Sequence, residues 1–197
     1  CTIVEKAAAL GGATAQLYKK IPTTAPYADP EDTGVDAMIA AIEADSNITV
    51  CLNSTLTNTA GAPGRFAADI STESGSTETK EFGAIVQASG FTAYDANQLP
   101  EFAYGKNKDV VTQMELEALA KAADGGPIKR PSDGKEVSNV LFIQCAGQRS
   151  KKEGHLEHCS GYCCSASIKQ AMYFKDQNPD IETTVLFSDL RTPGAGG

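Results

Sequence analysis

Four cysteines in the last third of the chain are the residues whose type and spacing point to chemistry. Cys145 closes the apolar run Asn139-Val-Leu-Phe-Ile-Gln-Cys145. Cys159, Cys163 and Cys164 follow, giving the pattern C-x13-C-x3-C-C. Four thiols from two short segments can close around one metal centre, and four thiolates are the usual ligand set of an iron–sulfur cluster. The spacing differs from the common ferredoxin run and from common zinc-finger spacings, so it leaves the kind of centre open.

The elements around the cysteines must bring them together. Residues 140–143 read as a buried strand, residues from about 160 to about 175 as a helix, and 184–187 as the next strand. Such a β-loop-α-β unit favours a parallel sheet. Strand end and helix start then sit side by side, so Cys145 faces Cys159, Cys163 and Cys164. Free N–H groups and the positive dipole end of a helix start stabilise an anionic centre. A closed site of four cysteines suits zinc equally well, and His155 and His158 can enter a zinc set. Among Lys151, Lys152, Glu153 and Glu157, those histidines read as solvated loop residues. A redox disulfide, for example Cys145 with Cys159, is a third reading. Four buried thiols acting as small hydrophobes are a fourth. Cys1 and Cys51 fall in predicted strands and read as core residues, Cys1 becoming exposed if the chain is cut there.

The rest of the chain alternates strands and helices. A strand over 2–4 leads into a turn of small residues, Ala8-Ala-Leu-Gly-Gly12. Three prolines make 21–32 an irregular crossing. A helix opens at Thr33, with Thr33 and Asp36 spaced as a capping box and Val35, Met38, Ile39 and Ile42 on one face. Strands follow over 48–52, 66–70 and 81–88, the last two suggesting a small antiparallel sheet. Thr112-Gln-Met-Glu115 is a second capping box, opening a helix whose buried stripe is Leu116, Leu119, Ala120 and Ala123. Gly125-Gly-Pro127 stops it. The polar stretch 129–138 marks a boundary between lobes, giving domains over 1–128 and 129–197.

Composition narrows the function classes. The chain has 197 residues, 41% hydrophobic and 21% charged, as in ordinary globular proteins. A net charge of −8 and a pI near 4.8 exclude the basic footprint of a nucleic-acid binder. No apolar run reaches the ~20 residues of a membrane span, so direct membrane insertion is not expected. Six cysteines are too sparse for a disulfide framework. They point to a reducing, cytoplasmic compartment with thiols used for metal or redox work. The ends read as those of a piece of a longer polypeptide.

Phe142-Ile-Gln-Cys-Ala-Gly147, Cys159-Ser-Gly-Tyr-Cys-Cys164 and Ile168-Lys-Gln-Ala171 closely resemble the family of heterodisulfide reductase A-subunits. That family includes flavoprotein subunits of the quinone-interacting membrane-bound oxidoreductase complex. Glu5-Lys6, Leu10-Gly-Gly12, Ala15-Gln-Leu17, Gly83-Ala-Ile-Val86, Ala88-Ser-Gly90 and Asp189-Leu-Arg-Thr-Pro-Gly194 fit the same family. The double-cysteine segment is the specific part.

The resemblance implies an α/β, thioredoxin-reductase-like fold. It would comprise an incomplete FAD lobe with a small antiparallel part and a partial second βαβ lobe. It implies FAD contacts from Glu5, Lys6, Gly11, Gly12, Gln16, Ala88, Ser89 and Gly90, with Glu5 on the adenosine ribose. It also implies a [4Fe–4S] cluster on Cys145, Cys159, Cys163 and Cys164, where other reductases bind nucleotide phosphates. The implied function is electron transfer between FAD and that cluster, on to other subunits of an electron-transfer complex. Any link to a membrane runs through those partners. The glycine-rich phosphate loop expected before Cys1 is not in the chain, so the isolated piece need not hold either cofactor. Two rivals stand beside this reading: a zinc-bound structural module, and a pyridine-nucleotide disulfide oxidoreductase with a redox cysteine pair.

Overall fold

A parallel pair of short strands opens the chain. In the computed structural model, which describes residues 1–193, β1 (Thr2–Val4) lies beside β2 (Thr49–Cys51), with Ile3 opposite Val50. Helix α1 (Val35–Ala44) joins them in sequence. Val35, Ile39 and Ile42 turn inward at the spacing of one helical face, whereas Met38, expected among them, is 63% exposed. The helix starts one residue later than expected. Its cap is Gly34 in a left-handed conformation (φ 68°) rather than a Thr33–Asp36 capping box.

A three-stranded antiparallel sheet follows, in the order β3 (Ser54–Ala62), β4 (Arg65–Thr72), β5 (Thr77–Phe82). Ala68 and Ile70 on β4 alternate inward and are buried. β3 has no such alternation and is almost wholly exposed. Its register comes from pairing with β4, and a bulge falls between Leu56 and Asn58. Side chains reinforce the sheet. Asp69 accepts from Asn58 Nδ2 at 3.1 Å and from Thr79 Oγ1 at 2.6 Å. The strand expected over 81–88 survives only at Glu81–Phe82, and the chain from Gly83 onward is irregular.

These elements form one compact unit, residues 1–15 with 34–91. The other unit comprises 16–33 and the chain from Thr92 onward. The compact units therefore divide at Phe91–Thr92. The polar stretch 129–138 lies inside the second unit, where Lys129 bridges to Glu136.

The second unit contains α2 (Gln113–Ala123), β6 (Asn139–Ile143), α3 (Cys163–Gln177) and β7 (Glu182–Leu186). The Thr112 capping box forms as expected: Thr112 Oγ1 accepts from Glu115 N, and the Glu115 carboxylate accepts from Thr112 N at 2.6 Å. β6 and β7 run parallel, Phe142 opposite Val185, as a β-loop-α-β unit requires. The core joins Leu116 and Ala120 of α2, Phe142 of β6, Tyr173 and Phe174 of α3, and Ile128 and Ile181 from the connections. Each fully buried large side chain here contributes about 1.5–3 kcal/mol. The crossing over 21–32 is irregular as expected and is pinned by Glu31, whose carboxylate accepts from the backbone N–H groups of Thr23 and Thr24. Gly194, which ends the last family motif, and residues 195–197 lie outside the described residues.

Candidate functional site

The chain turns sharply where β6 ends. Cys145 (φ 57°), Gly147 (φ 74°) and Arg149 (φ 53°) all adopt left-handed backbone conformations, and Gln148 N donates to Cys145 O. Only glycine avoids strain in that region, so two non-glycine residues there within five positions mark a tightly held turn. At Gly147 a Cβ would also overlap the Tyr94 ring. The charged loop then folds back on the turn. Leu156 N donates to Gly147 O, Arg149 N to His158 O, and Ser160 N to Gln148 Oε1. These bonds return the chain to the strand end, and Cys159 with it.

Helix α3 starts at Cys163. Its first N–H groups are not all free, because the Ser160 hydroxyl accepts from Tyr162 N (3.2 Å) and Cys163 N (3.3 Å). A backbone N–H does reach sulfur just before the helix, from Gly161 to Cys159 Sγ at 3.3 Å. Cys164 is buried. Burial is the main cause pushing its thiol pKa up, while an N–H bond from Arg191 acts the other way and the neighbouring Cys163 and Cys145 raise it further. Cys164 thus feels both Cys163 and Cys145, although Cys145 and Cys163 lie 18 positions apart in sequence. Arg149 Nη1 donates to Cys145 Sγ at 3.8 Å and also to Asp189. Arg191 Nε donates to the other oxygen of Asp189 at 2.7 Å.

All six cysteines are free thiols, so neither the Cys145–Cys159 pair nor any other is joined. Among the described residues no group of three or more His, Cys, Asp or Glu side chains is gathered as a metal ion would require. A cubane cluster places each thiolate on a different iron, so its ligands stand wider apart than those of one ion. The donor set fits such a centre chemically, with four free thiols on one β-loop-α unit, one of them receiving a backbone N–H bond and another a guanidinium. His155 is half-buried against the Tyr94 ring, and His158 is exposed. Cys51 is half-buried, and Cys1 is exposed, the alternative allowed for it beside a core position.

The residues expected at the flavin fall mainly in the first unit. Glu5 follows β1, and its Oε1 accepts from Ala7 N at 2.7 Å. Gly11 (φ 108°) leaves room for the chain itself, since a Cβ there would lie 2.7 Å from Ala15 Cβ and 3.2 Å from Ile39 Cδ1. Gly12 faces open space. Lys6, Ala88, Ser89 and Gly90 are exposed, the last three in the irregular stretch just before the unit ends at Phe91. Gln16, also exposed, belongs to the second unit. An open cleft of about 670 Å³, lined in part by Tyr104, Val110, Val111, Glu115 and Leu119, contains none of these residues.

Sequence reasoning passed over two groups. One is the Arg149–Asp189–Arg191 bridge, whose members lie in a charged loop and a strand-end motif with nothing to pair them. The other is a buried network on α3. Lys169 Nζ lies 2.8 Å from Glu117 Oε1, and Gln170 and Tyr173 donate to the same carboxylate. Gln113 continues this network to Ser167 Oγ and to the carbonyl of Cys163. Alternation of charged and apolar residues would suggest solvated positions for Glu117 and Lys169, so no local signal reveals them.

Comparison with known proteins gives this geometry a context. The chain is 39% identical over 116 residues to the A-subunit of the ferredoxin/F420H2-dependent CoB-CoM heterodisulfide reductase of Methanosarcina acetivorans, covering 58% of this chain and 14% of that protein. It is 38% identical over 118 residues to the A-subunit of the H2:CoB-CoM heterodisulfide, ferredoxin reductase of Methanothermobacter marburgensis, covering 59% of the chain and 18% of that protein. The chain is homologous to the heterodisulfide reductase A-subunits. A relative from Methanopyrus kandleri, 39% identical over 118 residues and covered to 18% of its length, is named an iron–sulfur A-subunit of the CoB–CoM heterodisulfide reductase. These relatives are oxidoreductases by name, and the chain corresponds to a partial region of them, between 14% and 18% of their length. No protein-family model matches the chain. No helix among the described residues is long and apolar enough to cross a membrane.

Proposed function

We propose that the chain is part of an electron-transfer flavoprotein and iron–sulfur subunit of a heterodisulfide-reductase-like complex. Its fold class in this reading is thioredoxin-reductase-like, with a partial FAD lobe and a partial second βαβ lobe. Cys145, Cys159, Cys163 and Cys164 would hold a [4Fe–4S] cluster. Glu5, Lys6, Gly11, Gly12, Gln16, Ala88, Ser89 and Gly90 would contact FAD. The cofactors supply one-electron transfer and the exchange between one- and two-electron carriers, and the protein supplies binding and electrostatics. Partner subunits of a cytoplasmic complex would take up or deliver the electrons.

One observation carries the reading. The turn at Cys145–Arg149 and the folded-back loop bring Cys159 to the strand end, where the thiols receive N–H and guanidinium donors. Donors of this kind stabilise an anionic centre. Ser160 holds the start of α3, and Gln113 ties the Cys163 carbonyl to α2, so the helix-borne pair is fixed from both sides of the backbone. The loop bonds to Gly147 and Gln148 do the same for Cys159.

Replacement of one ligand tests this. In full-length protein, Cys163→Ser is expected to lose or convert the cluster and to change the electron paramagnetic resonance (EPR) signal of the reduced sample. Full iron content with an unchanged spectrum in that variant would overturn the assignment.

A further inference from the structure

Resting on the proposed function, we infer that Arg149 sets the reduction potential of the cysteine centre and that Asp189, 40 residues further on, positions it there. Arg149 Nη1 reaches Cys145 Sγ at 3.8 Å and bonds Asp189 Oδ1. Asp189 Oδ2 takes Arg191 Nε at 2.7 Å. One carboxylate thus joins two arginines, one of which reaches the Cys145 thiol. Two cations against one anion leave a net positive charge beside the sulfurs.

Guanidinium chemistry suits the role. It is always charged, and its planar fork can serve a sulfur and a carboxylate at once, which an ammonium on a flexible stem does less well. Reduction adds one negative charge to the centre. A fixed cation and an N–H bond to a ligand sulfur both favour the reduced form and raise the potential. The Arg149 side chain is 26% exposed, so solvent screens it only in part. Its backbone is held as firmly as its side chain. Arg149 sits at φ 53°, and its N–H is bound to His158 O, so the residue keeps an uncommon conformation that directs it to this place. Asp189 is a positioning residue in this scheme, since it acts on the centre through Arg149.

The test is an EPR-monitored redox titration of full-length protein, with iron and sulfide measured on every sample. Arg149→Gln is expected to lower the midpoint by about tenfold in the redox equilibrium, ~59 mV for one electron. Arg149→Lys should give a smaller fall. Asp189→Asn should also lower it, although loss of a negative charge alone would raise it, so a rise would overturn the positioning role. Should Arg149→Gln lose its iron, the Arg149→Lys midpoint decides, and a value equal to wild type overturns the inference. Normal iron with an unchanged midpoint in Arg149→Gln overturns it too and leaves the proposed function standing. Wild-type protein that takes up no iron overturns both.

Discussion

Glu117 on α2 and Lys169 on α3 form an ion pair at 2.8 Å with each side chain only 1% exposed. The pair survives burial because nearly every remaining polar direction is used. The carboxylate also accepts from Tyr18 N, Gln170 Nε2 and Tyr173 Oη, and the ammonium also donates to the Lys19 carbonyl. Burial is the main cause that lowers the Lys169 pKa, and the bond and charge of Glu117 oppose it.

Removing either partner alone leaves a buried, uncompensated charge, at a cost of about 3–5 kcal/mol. Glu117→Gln and Lys169→Met are each expected to lose stability on that scale in urea unfolding. The double variant should lose less than the sum, because the two residues are coupled. Single variants within about 1 kcal/mol of wild type would contradict the pair's role.

Gly147→Ala should damage the cysteine turn. The new Cβ would run into the Tyr94 ring, and the residue would keep a left-handed φ of 74°. Overpacking of this kind costs on the order of 1–3 kcal/mol. Thermal unfolding is the measurement, and adding Tyr94→Ala should recover part of the loss. A Gly147→Ala protein as stable as wild type would show that the turn is not held as described.

The pH dependence of stability should carry a contribution from Glu31. Hydrogen bonds from the Thr23 hydroxyl and from the backbone N–H groups of Thr23 and Thr24 lower its pKa from 4.5 to about 2, Lys20 adding a smaller effect. The folded state therefore holds this proton less tightly than the unfolded chain. The stabilisation is complete above about pH 4.5 and is lost as pH falls through about 2. Glu31→Gln should remove that acid-dependent part of the unfolding curve. A Glu31 side-chain carboxyl resonance titrating near 4.5 in the native protein would contradict the bonding at Thr23 and Thr24.

Features of this fold legible in the sequence are those with a local cause. The Thr112–Glu115 box sets the start of α2 because both bonds lie within one turn. The apolar run before Cys145 and the spacing to the next strand were enough for the parallel β6–β7 pair. β3 was not legible, since Ser54–Ala62 buries almost nothing and takes its register from β4. Met38 misled because an apolar residue at helical spacing need not meet a partner. At the candidate site the four cysteines stand out by type. The groups around them do not, because the Arg149–Asp189 contact spans 40 residues and exists only once the loop has folded back. The strand expected over 81–88 ended early because no partner strand continues beyond the Phe66–Phe82 pairing.

The most direct test of the central claim is the iron, zinc and acid-labile sulfide content of full-length protein, prepared without oxygen and after cluster reconstitution. The cysteine centre described here predicts iron and sulfide in equal amounts, about four of each above any other cluster in the protein, lost together in Cys163→Ser. Zinc in place of iron, or iron and sulfide contents indifferent to Cys163→Ser, would contradict it.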